Sequence, residues 1–292
     1  MHDKHRNIIV MIASMFCFAL VDVIAKYLIG DYPPNEISFF RLMIGLVPAF
    51  GYLRAGKCEI SRSMFATKRT GGHVVCAVLA LASMALFFGG LPYIQLAKAV
   101  ALNYTEAIFV ILLAAPLLRE RLRAKELGVA LVAFTGVLLI LQPTTSGFSW
   151  YGPTLILASA LLGAGWVIQI KRLSQTDDSA LIVFYFTLYG AVISGASLTW
   201  GWKTPDIVDL SLLCSIGVLG SIGQILMATA LKSGGAAELA PFNYTTVLWA
   251  TLFGYLLWDE NVGSIAAVGI ALVILGSLYL ALENKPNIPD PR

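Results

Sequence analysis

The chain has 292 residues, of which 58% are hydrophobic and 13% charged, with a formal net charge of +3. A soluble domain averages about 25% charged residues, so this composition excludes an ordinary water-soluble core and a nucleic-acid binder, and lipid is the solvent that accommodates the excess. Cys17, Cys58, Cys76 and Cys214 lack the paired spacing of a disulfide framework or a metal site.

A membrane-spanning helix needs roughly 20 mostly apolar residues. Ten such runs follow one another at 8–28, 35–53, 73–92, 97–118, 125–141, 152–171, 179–200, 209–231, 236–257 and 262–282. The first begins at Ile8, is too long for a signal-peptide core and has no small-residue cleavage site after it, so it reads as a retained helix. The runs are continuous rather than alternating, which argues against barrel strands. Turn and polar residues separate them, as in Asp31-Tyr32-Pro33-Pro34, Gln142-Pro143-Thr144-Thr145, Gln175-Thr176-Asp177-Asp178 and Lys203-Thr204-Pro205-Asp206. The expected fold is an all-α integral membrane protein of ten transmembrane helices. Placing the N-terminus inside puts 16 of the 20 Lys and Arg residues on inward segments, as the positive-inside rule requires. Both termini are therefore expected in the cytoplasm, with the chain as a multi-pass protein of the cell inner membrane.

The sequence also repeats itself. Asn103-Tyr104-Thr105 recurs 140 residues later as Asn243-Tyr244-Thr245, and at the same shift Glu120 meets Glu260 and Gly136 meets Gly276. Nearer the N-terminus the shift is 145, where Ser14 meets Ser159 and Lys26 meets Lys171. The reading is two five-helix halves, residues 1–148 and 149–292. Five is odd, so the second half enters the membrane from the opposite side. An inverted 5+5 repeat is typical of secondary transporters, with the substrate site near the midplane between halves. The alternative is a duplication that only enlarged a helical bundle.

These features resemble the drug/metabolite transporter superfamily of the EamA type across nearly the whole chain. The resemblance rests on Leu117-Leu118-Arg119-Glu120-Arg121-Leu122 followed by Gly128 and Gly136, on Leu257-Trp258-Asp259-Glu260 followed by Gly269 and Gly276, and on Phe39-Phe40-Arg41 opening the second helix. Asp22-Val23-Ile24-Ala25-Lys26-Tyr27-Leu28 and Ala240-Pro241-Phe242-Asn243-Tyr244 look most like the branch of S-adenosylmethionine and riboflavin uptake carriers. The resemblance implies a central cavity lined by helices 1–4 and 6–9, with helices 5 and 10 peripheral. It implies alternating-access transport of a small organic metabolite, nucleoside-like or aromatic. An amino-acid or drug exporter of the same fold is the alternative. Phe186 stands where a symmetric site would repeat Arg41, and Val167 where it would repeat Asp22, so a two-fold symmetric substrate site is not expected.

Charges inside a span cost about 2.5–3.5 kcal/mol each on insertion scales, so they face a partner or water. Asp22, Arg41 and Glu106 lie inside the first, second and fourth runs at similar depth. Two readings stay open for them: a polar substrate or proton site, or an ion network joining three helices. Asp22 and Lys26 are four apart and share a helix face. Glu36, Lys26 and Lys98 lie near helix ends and are expected to snorkel toward water.

The repeated pairs Asn103–Tyr104 and Asn243–Tyr244 could hydrogen-bond a substrate or join helices. Trp166 and Gln169 share one face of the sixth run, and Gln224 lies inside the eighth; aromatic and amide groups suit a planar ligand, though Trp166 also suits packing. Trp150, Trp200, Trp202 and Trp258 sit at helix ends as interfacial anchors. Gly217, Gly220 and Gly223 form a small face for close helix approach. Glu120 and Glu260 end the fourth and ninth helices, where a carboxylate opposes the helix dipole, and are assigned a structural or gating role.

No catalytic or phosphate-binding motif is present in the sequence, so an enzyme is not expected, nor is a cofactor or metal. An intramembrane enzyme or lipid flippase is the rival from a different class. The expected partners are a small-molecule substrate, the lipid bilayer, and protons or a counter-substrate. A homodimer is compatible with this reading.

Overall fold

A computed structural model describes residues 2–55, 67, 69–118, 124–142, 149–233, 239 and 242–283. Among these residues the regular structure is entirely helical. The helices are α1 (His2–Leu28), α2 (Pro34–Ala55), α3 (Thr70–Gly90), α4 (Leu96–Asn103), α5 (Glu106–Leu118), α6 (Ala124–Leu141), α7 (Tyr151–Leu173), α8 (Ser179–Ser197), α9 (Ile207–Ser233), α10 (Thr245–Trp258) and α11 (Ser264–Glu283). Six of them, α1, α2, α3, α7, α8 and α9, are long and apolar enough to cross a membrane. α10 and residues 264–276 of α11 are shorter apolar helices.

One expected element is divided. The run 97–118 forms two helices, α4 and α5, with Tyr104 and Thr105 in a turn between them. Glu120 lies outside the described residues.

The main pairings join the first part of the chain to the second: α1 packs along α9, α3 along α7, α2 along α8 and α6 along α11, while α4 meets α10. In lipid such contacts depend on close packing of small residues rather than on water exclusion. A Cβ on Gly217 would lie 2.6 Å from Ile44, one on Gly220 would lie 3.4 Å from Arg41 Nε, and one on Gly223 would lie 3.1 Å from Phe18. The predicted small face of α9 is thus where α1 and α2 come closest. Gly136 and Gly269 do the same for α6 and α11: a Cβ on either would sit within 2.8 Å of the other's carbonyl oxygen. Outside that seam Leu131, Phe134, Leu138, Val268 and Leu275 are exposed, the pattern of lipid-facing helices.

Polar ties close both ends of the bundle. At one end the Tyr32 hydroxyl donates to Asp209 at 2.7 Å, and Lys203 pairs with Asp31 at 2.9 Å. The bond to Asp209, with burial and the negative charge there, pushes the Tyr32 hydroxyl up to about 12, so it remains a donor at neutral pH. Glu36 does not snorkel: it is fully buried and accepts the Lys203 backbone N–H at 3.1 Å. At the opposite end the buried His73 meets Asp177 at 3.2 Å, and Thr67 donates to the same carboxylate at 3.1 Å. Trp150, Trp200 and Trp202 are exposed near helix ends, as interfacial anchors should be.

Candidate functional site

The two Asn-Tyr-Thr triplets mark helix boundaries that meet in the bundle. Thr105 turns its hydroxyl onto the Leu102 carbonyl at 2.7 Å, and Thr245 does the same to the Phe242 carbonyl at 2.7 Å. Each threonine so satisfies a carbonyl three residues back, at a point where the helix ladder loosens. Tyr104 then donates to the Asn243 carbonyl at 2.6 Å, and the Tyr104 and Tyr244 rings lie 4.8 Å apart. Tyr104 thereby ties the α4–α5 break to the start of α10. The Asn243 side-chain oxygen is buried without a hydrogen-bond partner among the described residues. Asn103 accepts from Ser159 at 3.4 Å.

Around this junction lie the three membrane-embedded charges. Asp22 and Arg41 are within electrostatic range of each other, and Tyr104 is within range of Asp22 and Glu106. None of the three carries an ion pair within 4.0 Å to another described residue, and each is only half-buried. The three do not bond one another directly, while Asp22 and Arg41 interact across a longer distance. Arg41 lays its side chain over Gly220. Glu106 opens α5, and a Cβ on Gly163 would lie 2.4 Å from its carboxylate. The bare backbone of α7 therefore makes the space the Glu106 carboxylate fills. Ser83 lies beside it, bonded to the Ser159 carbonyl at 2.9 Å.

Lys26 does not snorkel and does not pair with Asp22. Its ammonium is paired with Glu260, donates to the Ile94 carbonyl at 3.0 Å and lies 5.1 Å from the Trp258 ring centroid. The other Glu260 oxygen accepts the Leu96 N–H at 2.7 Å, at the first turn of α4, where a carboxylate complements the helix dipole. Local structure aims Glu260 there. Asp259 is left-handed, with φ 51°, and the Glu260 N–H bonds the Gly254 carbonyl at 3.0 Å, so the chain folds back on the last turn of α10 through a left-handed cap. Gly254 leaves room for the returning carboxylate, since a Cβ there would lie 2.7 Å from it. Three segments, the ends of α1 and α10 and the start of α4, thus converge on one pair whose side chains are 8% and 14% exposed.

The remaining candidates divide. Gln169 donates to the Gly72 carbonyl at 3.1 Å and so pins α7 to α3. The Trp166 indole packs against the buried Cys76, to whose sulfur its N–H is directed, and its ring lies 6.0 Å from Phe186. Gln224 is half-buried on α9. The structure adds groups not singled out from the sequence, Gly163, Ser83 and Trp249, and brings in Ser159, known from the sequence only as a repeat match. Trp249 has a buried N–H without a partner among the described residues, and it packs edge-on to Phe16 at 5.0 Å. A lone tryptophan in the middle of an apolar run was the available signal for it.

Comparison with known proteins places this geometry. A model of the EamA-like transporter family matches residues 5–142 and again 150–282. The chain is similar to a pseudopaline exporter of Pseudomonas aeruginosa, 27% identical over 96% of this chain and 97% of that one. It is similar to a riboflavin transporter of Brucella anthropi, 28% identical over 94% and 98% of the two chains. It is also similar to an S-adenosylmethionine uptake transporter of Rickettsia bellii, 24% identical over 90% and 89%. A solved crystal structure shares the fold with TM-score 0.61 at 17% identity, over 94% of this chain and 99% of that one. With the family model spanning almost the whole of a multi-pass helical membrane protein, the chain belongs to the EamA-like transporter family.

Proposed function

We propose that the protein is a secondary transporter that moves a small organic metabolite across the bacterial inner membrane by alternating access between two inverted five-helix halves. The halves are residues 1–148 and 149–292, with ten spans in all, the fourth formed by α4 and α5. The helix pairings support this. Advancing every span number by five turns α1–α9 into α7–α3, and leaves α2–α8, α4–α10 and α6–α11 unchanged as pairs. Two consecutive family matches fall on the same halves.

The observation that carries the transport reading is the central set Asp22, Arg41 and Glu106, embedded, half-buried and without bonded partners among the described residues. Together with Tyr104, Asn103, Asn243, Tyr244, Trp166, Trp249 and Gln224 it offers charge, aromatic faces and hydrogen-bonding groups. That combination suits a polar metabolite with a planar part. The named substrates of the relatives include riboflavin and S-adenosylmethionine, which are of this kind. Gln169, tied to Gly72, leaves the substrate set. The Lys26–Glu260 pair closes one end of the cavity, and Glu260 is its gating residue; in the proposed orientation this is the outer end, with both termini cytoplasmic.

The test is uptake and efflux by the purified protein in liposomes against a metabolite panel, with and without a pH gradient. The reading predicts saturable movement of at least one aromatic or nucleoside-like metabolite. A folded protein that moves no member of the panel in either direction overturns it.

A further inference from the structure

Under the proposed repeat, Arg41 and Asp22 have no charged counterparts. Phe186 stands at the place of Arg41, and Val167 at that of Asp22. Phe186 and Trp166 pack against the buried Cys76, Leu173 and Ile182. A duplicated scaffold that fills one copy of this place with apolar side chains does not need the two charges in order to stand. Their use lies elsewhere.

Three helices bring them together at Gly220 of α9. A Cβ there would lie 3.4 Å from Arg41 Nε on α2 and 3.9 Å from Val21, the residue before Asp22 on α1. Asp22 and Arg41 sense each other's charge yet lie beyond the 4.0 Å of an ion pair, and both are half-buried. Their neighbours do not close the gap. Lys26, one helical turn from Asp22, is paired with Glu260, and the Tyr104 hydroxyl, in range of Asp22, donates to the Asn243 carbonyl. The Arg41 guanidinium is a planar fork of N–H donors without a hydrogen-bond partner among the described residues. Such a fork matches a carboxylate in bidentate fashion.

We propose that the gap between Asp22 and Arg41 binds the amino-acid head group of the solute, with its carboxylate on the Arg41 guanidinium and its ammonium on Asp22. This rests on the transport reading above and names the substrate class: an α-amino acid, or a larger metabolite that carries that head group. A zwitterion turns one long-range pair into two bonded pairs and leaves the net charge of the site unchanged. A lone anion or cation satisfies one side and leaves the other bare, which is costly inside a span. Because the second half offers no such pair, the head group is held on the α1–α2–α9 side, in one orientation.

The experiment measures binding to the purified full-length protein in detergent by calorimetry. The probes are L-tryptophan and S-adenosylmethionine, each beside its decarboxylated amine and the acid that lacks its amino group. The proposal predicts that at least one amino acid binds. Its truncated partners bind about thirtyfold more weakly or worse, the scale for losing one member of a desolvated charge pair. Arg41→Gln no longer distinguishes the amino acid from the amine, and Asp22→Asn no longer distinguishes it from the acid. A structural role alone lowers thermal stability and leaves these ratios unchanged. Binding of neither amino acid, truncated partners that bind the wild type equally well, or unchanged ratios in both variants overturns the proposal. The wild-type comparison decides it even where a variant fails to fold. Transport in liposomes is scored separately. Movement of a solute without this head group, with neither amino acid bound, removes the zwitterion site and leaves the transporter. If nothing is moved, the transport reading falls, and the binding ratios alone decide the site.

Discussion

The Ser14 hydroxyl donates to the Gly223 carbonyl at 2.7 Å, linking α1 to α9. The residue 145 positions after Ser14 is Ser159, and the residue 140 positions before Gly223 is Ser83; the Ser159 hydroxyl donates to the Ser83 carbonyl, also at 2.7 Å. The two bonds exchange under the proposed repeat. Ser14→Ala and Ser159→Ala should therefore destabilise the protein alike, each by about 0.6 kcal/mol and at most about 1.7 kcal/mol, the average and upper end for membrane hydrogen bonds. Thermal denaturation in detergent measures this. A large loss for one and none for the other would count against equivalent roles.

Topology supplies a second prediction. In a background without the four native cysteines, single cysteines replacing Arg62 and Thr144 should label from opposite faces of the membrane. The reason is the bias of Lys and Arg to inward segments. Labelling of both from the same face contradicts the inverted halves.

A third prediction concerns Lys26 and Glu260. Glu260→Gln or Lys26→Met leaves one buried partner without its counter-charge, whereas the double variant removes both. Loss of one member of a buried pair costs about 3–5 kcal/mol, and joint replacement costs much less. The double variant should be more stable than either single one. If the pair closes that end, a cysteine at Ile94 should react faster with a membrane-impermeant reagent in the double variant than in its parent. Unchanged reactivity would make the pair structural only.

Gly163→Ala places a Cβ where the Glu106 carboxylate now lies, 2.4 Å from its oxygen. The carboxylate ends a flexible side chain, so it moves aside rather than unfolding the protein. Transport should fall at least tenfold (about 1.4 kcal/mol) with the protein still folded, because the carboxylate is displaced. Full activity would show that its position does not matter.

The long spans were legible because an apolar run of membrane length has few other uses. The break inside the fourth run was not. Tyr104 and Thr105 are neither glycine nor proline, and the threonine hydroxyl that satisfies the Leu102 carbonyl leaves no mark in hydropathy. The triplet's recurrence flagged the place but not its geometry. Lys26 misled because its neighbour at helical spacing is Asp22, while its partner Glu260 is 234 residues away. Asp22, Arg41 and Glu106 were visible as charges in spans. That Glu106 rests on Gly163 needed the packing of α5 on α7, which no local pattern encodes.

The measurement that bears most directly on the account is transport by purified Asp22→Asn and Glu106→Gln proteins in liposomes, scored beside their thermal stability. Both changes keep side-chain shape and remove only charge. The account predicts that at least one variant folds as the wild type does yet loses transport or its dependence on pH. Normal transport with an unchanged pH response in both variants would contradict the central site.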